Sequence, residues 1–108
     1  MTTSKATRAT QARGFLERLN KGPLTLGQLL AALRKTDQLS LAQFAARLGI
    51  SRQHLHQIER GRKHVSPARA VNFARALRHS PLLFVKLALQ DQLKGTGLRA
   101  RVELKAAS

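Results

Sequence analysis

Leucines at 26, 29, 30 and 33 stand at i, i+3, i+4 and i+7, the spacing that lines one face of a helix. Thr25 precedes them, where a hydroxyl can accept from the first-turn N–H groups. Residues 36–39 form a polar connection. Ser40 then opens a second helix, with Gln43 three residues on to complete a capping box. The buried stripe of that helix is Leu41, Phe44, Ala45 and Leu48, and Gly49 suits the left-handed position that ends it. Ser51 caps a third helix over residues 52–60, which has only Leu55 and Ile58 to bury. Gly61 ends it, and residues 62–65 make a basic loop. Ser66-Pro67 starts a fourth helix, with Pro suited to the first helical position and an inward set of Ala70, Val71, Ala74 and Leu77. Ser80-Pro81 repeats that signal for a fifth helix, which runs to Lys94 with Gly95 as its stop.

The flanks read differently. Residues 1–13 form a basic, disordered arm. Residues 14–20 (GFLERLN) can make a short helix with Phe15, Leu16 and Leu19 on one side, before Lys21-Gly22-Pro23 breaks it. At the other end, LRARVELK (98–105) alternates apolar and charged residues with period two, a strand pattern. The chain therefore divides into an arm at 1–24, a helical domain at 25–94 and a tail at 95–108. The fold class is all-α, five helices with a short C-terminal β-strand.

The fifth helix carries two apolar stripes. Phe84, Leu87 and Ala88 form one, and Leu82, Val85, Leu89 and Leu93 the other. A surface helix needs only one. The extra stripe predicts a second surface, most simply a partner copy in a homodimer; the alternative is that residues 15–19 cover it within one chain. A lone strand is unstable in water, so the tail predicts pairing with the same strand of a second copy, through Val102 and Leu104. The alternative is a frayed tail.

Composition sharpens this picture. The apolar mass is mostly Leu and Ala, which favours helices. Twenty Lys and Arg stand against five Asp and Glu, a formal charge of +15. Such a field attracts a polyanion, whether nucleic acid, an anionic membrane or an acidic protein. Arg outnumbers Lys by 13 to 7, which leans toward phosphates and base edges because the guanidinium fork matches both. With no Cys, disulfides, thiolate nucleophiles and zinc–thiolate sites are excluded. No apolar run approaches the ~20 residues of a membrane span, and the N-terminal residues lack the apolar core of a secretory signal. Their Thr, Ser and Arg content has a slight likeness to a transit peptide, without its regular apolar stripe. The expected location is cytoplasmic.

Catalytic and metal chemistry find little purchase. His54 and His56 are two apart on a helix, about 200° around its axis, and cannot chelate one metal from one face. His64 and His79 are isolated. Five acids offer no convincing carboxylate pair for acid–base work, and Ser51 and Ser66 are better explained as caps than as nucleophiles. The expectation is a protein that is no enzyme and has no cofactor or metal.

The central pattern is helix, glycine turn, helix. Ala45, Gly49, Leu55 and Ile58 stand where two helices must approach closely at a steep angle. The third helix leaves Arg52, Gln53, His54, His56, Gln57 and Arg60 outside. Arg can fork onto guanine and Gln onto adenine, so this face has the chemistry of base readout in a major groove.

On the segments LGQLLAALRKTDQLS, LAQFAARLGIS, RQHLHQIERGRK and SPARAVNFARAL, residues 26–78 resemble the phage-repressor/Cro-like helix-turn-helix proteins, the XRE family, about half of the chain. The resemblance implies a lambda-repressor-like domain binding double-stranded DNA as a dimer to repress transcription at a pseudo-palindromic operator. It implies Gln53 and Gln57 at base edges, Arg52 at a base or phosphate, and His56 adding a contact on the same side. Ser51, Arg60, Arg62 and Lys63 would hold phosphates. Arg34 and Glu59 match the family's internal salt bridge, which explains one acid within a basic stretch. One departure stands out. The family usually has a polar, phosphate-gripping residue just after the cap of the second helix, and here that position is Leu41. The grip shifts toward the basic loop and the arm.

Small proteins of this family also include antitoxins of the HigA or HipB kind, which repress their own operon and bind a toxin protein, and the coactivator MBF type, which bridges proteins. The extensions at 1–24 and 80–108 provide surface for an antitoxin role, and the strand-like tail is similar to HipB-like dimerising strands. Binding to RNA or packaged DNA through charge alone is a further alternative. The shortage of aromatics for base stacking argues against single-stranded RNA.

Overall fold

All five helices begin on a hydroxyl that accepts from the backbone N–H three residues on: Thr25 from Gln28, Ser40 from Gln43, Ser51 from His54, Ser66 from Arg69 and, more loosely at 3.5 Å, Ser80 from Leu83. These caps open α1 (Leu26–Thr36), α2 (Leu41–Leu48), α3 (Arg52–Glu59), α4 (Pro67–Leu77) and α5 (Pro81–Lys94). In α1 and α2 the third residue is Gln, and its side chain returns a bond to the cap residue's own N–H at 3.0 and 2.9 Å. The computed structural model describes residues 24–94. The N-terminal arm with its short helix, and the tail carrying Val102 and Leu104, lie outside the described residues.

Gly49 closes α2 at φ 71° and ψ 28°, a left-handed conformation that glycine adopts without a Cβ penalty. Its N–H and that of Ile50 satisfy carbonyls at the end of α2, and the chain turns sharply into α3. Helix α4 ends in the same conformation without glycine, at Arg78 (φ 57°).

The core gathers Leu24, Leu26, Leu29, Leu30 and Leu33 from α1 and its approach, Phe44, Ala45 and Leu48 from α2, and Leu55 and Ile58 from α3. Val65, Ala70, Phe73, Ala74, Leu77, Phe84, Leu87 and Ala88 complete it. Helices α4 and α5 pack most extensively against each other, while α3 is held between α1 and α2. The fourth helix differs from the sequence expectation. Phe73 is buried within it and Val71 only half-buried, because 70, 73, 74 and 77 are the true i, i+3, i+4, i+7 set. Leu24 and Val65, single apolar residues in connections, are also fully inside.

Glycine at 27 is a packing requirement. A Cβ there would overlap the Ile58 carbonyl oxygen at the end of α3. Backbone on backbone leaves no flexible atom to yield, so α1 and α3 would have to separate. Gly27→Ala should destabilise the fold by about 1–3 kcal/mol despite the better helix propensity of alanine. Chemical denaturation checks this, and an unchanged or raised midpoint would show that the helices can part at no cost.

On α5 the stripe of Phe84, Leu87 and Ala88 faces the core. The second stripe is only partly covered: Val85 packs against the core edge, Leu89 and Leu93 are half-buried, and Leu82 is 40% exposed. Among the described residues, no helix is long and apolar enough to cross a membrane.

Candidate nucleic-acid interface

Helix α3 turns Leu55 and Ile58 into the core and the rest of its surface outward. Arg52, Gln53 and His56 are exposed, and Gln57 is half-buried beside them. Exposed Ser51 uses an oxygen lone pair on the His54 N–H at 3.0 Å, which leaves its O–H free to donate. The helix thus presents a row of forked donors and amides on a rigid rod whose inward side is fixed by packing.

The basic loop is tied to the end of this rod. Arg60 N–H donates to the His56 carbonyl, Gly61 N–H to Ile58, and Arg62 N–H to Gln57 at 2.9 Å. Their side chains and that of Lys63 are exposed. Arg60, Arg62 and Lys63 therefore sit in a fixed relation to the outward face of α3.

Arg34 and Glu59 anchor the whole unit. The Arg34 Nε lies 2.9 Å from Glu59 Oε2 and one terminal nitrogen 3.0 Å from Oε1, a bidentate pair. The other terminal nitrogen donates to the Leu39 carbonyl at 3.1 Å. One guanidinium thus joins α1, the α1–α2 connection and the last residue of α3. The hydrogen bond to Glu59 raises the Arg34 guanidinium above its already high range, against the opposing effect of burial.

One further feature emerges only in three dimensions. Exposed Arg69, near the start of α4, places Nη1 3.4 Å from both ring nitrogens of His54. Burial first, then the charges of Arg69 and Lys63, hold the His54 imidazole below its ordinary range. Arg69 adds a cation beside the entry to α3, with no periodic signal in the sequence to mark it. Leu41 is half-buried and packs against the core.

The three acids among the described residues have partners within the fold. Asp37 is 4.0 Å from Arg47, Glu59 holds Arg34, and Asp91 on α5 accepts the Leu26 N–H of α1 at 3.0 Å through Oδ2. Burial pushes the Asp91 carboxyl above its usual range, partly offset by that N–H, Lys94 and His64. A raised folded value means that ionisation costs stability as pH climbs from the unfolded value (about 3.9) to the folded one, and the cost is complete above it. Asp91→Asn keeps an oxygen for Leu26. It should melt at or above the wild type at pH 7, with the advantage shrinking toward pH 3. A variant less stable at pH 7 would show that the ionised carboxylate is net favourable.

A family model described as a helix-turn-helix domain matches residues 25–84, more than half of the chain. No curated protein and no solved structure gives a match.

Proposed function

The chain belongs to the helix-turn-helix domain family, a DNA-binding domain, and on that footing we propose that it is a dimeric, sequence-specific repressor of transcription. The observation that carries this reading is the division of α3: two side chains packed inside, and Arg52, Gln53, His56 and half-buried Gln57 facing out. In a major groove, Gln53 and Gln57 read base edges, Arg52 forks onto a base, and His56 adds a contact. Ser51, Arg60, Arg62 and Lys63 hold phosphates and set the register. The Arg34–Glu59 pair orients α3 without touching DNA.

The partly covered stripe of Leu82, Val85, Leu89 and Leu93 supports a two-fold partner, with Val102 and Leu104 extending the contact. Two recognition helices then meet half-sites roughly 34 Å apart, and the bound dimer blocks polymerase at a promoter, its own included. The working location is the cytoplasm.

Fluorescence titration tests this with DNA from upstream of the gene and shuffled DNA of equal length. The upstream duplex should bind at least about a thousandfold more tightly. Gln53→Ala should cost about 1–3 kcal/mol on that duplex and relax the preference at one base pair. Arg62→Ala should weaken both duplexes alike. If the two variants behave identically on both DNAs, α3 does not read sequence.

A further inference from the structure

His54 stands in the first turn of α3 and is half-buried, while Arg69 in the first turn of α4 is exposed. With about 3.6 residues per turn, His54 falls on the flank of α3, between buried Ile58 and Gln57 beside the outward row. Nη1 of Arg69 lies 3.4 Å from Nδ1 and 3.4 Å from Nε2 of the same imidazole. The in-plane directions of those two ring nitrogens diverge, so one donor cannot meet both along them. A point in the ring plane at that distance from both would also press on a ring carbon. Nη1 therefore sits over the face of the ring, and the contact is a guanidinium stacked on a π surface. Such a stack suits a neutral imidazole and opposes an imidazolium.

No carboxylate of the described residues offsets this crowding. Asp37 is engaged at Arg47, Glu59 at Arg34 and Asp91 at the Leu26 N–H. The charges that act on His54 are Arg69 from α4 and Lys63 from the basic loop, and both add to burial in disfavouring its protonated form. Both side chains are exposed. The stack engages Nη1 and leaves the Nε and Nη2 donors of the Arg69 fork for a ligand. Two cations and a titratable ring about one point, on the flank of the recognition face, suit an anion that runs along the edge of a groove.

We propose, resting on the DNA-binding reading, that His54 and Arg69 join Lys63 in a subsite for one backbone phosphate of the duplex, and that His54 takes up a proton from solvent as the phosphate enters. Lys63 thereby shares its phosphate with two further partners. The phosphate neutralises the cations that oppose the imidazolium, so the complex holds the proton more firmly than the free protein does. Between the free and bound midpoints of the His54 titration the complex binds more protons, so affinity rises as pH falls through that interval. The gain is absent above the bound midpoint and complete below the free one. It is the same on any base sequence, since a phosphate carries none.

NMR of the histidine ring signals of the full chain, followed from about pH 5 to pH 8 with and without saturating duplex, reads this directly. Upstream and shuffled duplexes should both raise the His54 midpoint by about one on the pH scale, which is about tenfold tighter binding on the acid side. Affinities measured over the same range should show that step in the wild type, and His54→Gln should lose it. His56→Gln, which alters a ring about 200° around the helix, should keep the rise at His54. In the free protein, Arg69→Gln should raise the His54 midpoint by removing a cation, and duplex should then raise it further by less. A midpoint that stays in place while DNA binds overturns the subsite and leaves the DNA-binding reading standing. A free-protein midpoint unmoved by Arg69→Gln overturns the stack on which the subsite is built. Duplex that binds at no pH overturns the DNA-binding reading, and the subsite with it.

Discussion

Raising the salt from 50 to 200 mM should weaken duplex binding about a thousandfold if the proposed dimer engages DNA, since six phosphates neutralised by Arg60, Arg62 and Lys63 from two protomers would each contribute a log–log slope near −0.9. The steepness reports counterions released from the duplex, so it counts contacts independently of base sequence. These three cations are exposed, and their backbone is fixed to the last turn of α3, so they project from one end of the helix. The measurement is the observed affinity at four or five salt concentrations. A slope of about half the expected value would place one protomer on the DNA. A slope that survives replacement of all three by alanine would move the phosphate grip to Arg69 or to the arm.

Glu59→Ala should lower stability by roughly 1.5–3 kcal/mol, the range for hydrogen bonds to charged groups. In a domain of this size that is a fall in melting temperature of roughly 10 °C or more. The loss exceeds that of a surface ion pair for two reasons. The pair is bidentate, with side chains only 16% and 9% exposed, and removing the carboxylate leaves a shielded guanidinium with the Leu39 carbonyl alone. Replacing both partners by methionine should cost less than removing either, since no charge is then left unpaired. Base preference should stay unchanged at temperatures where the variant is folded. An unaltered melting curve would mean that solvent replaces Glu59 without penalty, and that α1 and α2 hold α3 by packing alone.

Much of this arrangement was legible in the chain because its punctuation is local. Thr25, Ser40 with Gln43, Ser51, Ser66-Pro67 and Gly49 each act within one turn of a helix, and each is seen at work in the structure. The stripe of α1 and the two inward residues of α3 followed from period alone. What period cannot mark is a single residue that matters through a distant partner. Leu24 and Val65 are isolated apolar residues in connections, and only the closing of the fold buries them. Val71 stands part of a turn out of phase with the buried set, and Phe73 takes the inward place. Gly27 reads as an ordinary weak spot in a helix until the Ile58 carbonyl is seen above it. Asp91 reads as a solvated acid near a helix end until its oxygen is found on Leu26, 65 residues away in the chain. The outward face of α3 was the easiest part of the candidate interface to read, since a helix with only two residues to bury declares its other side.

That same division separates two kinds of selection on one helix. Leu55, Ile58 and Glu59 answer to the fold, whereas Arg52, Gln53 and His56 touch too little of it to be constrained by stability. On the proposed reading, exchanging the exposed set would rewrite what the helix recognises without reopening the question of whether it folds. After gene duplication, two copies could therefore diverge in what that face contacts through a few surface codons, with the scaffold beneath them unchanged.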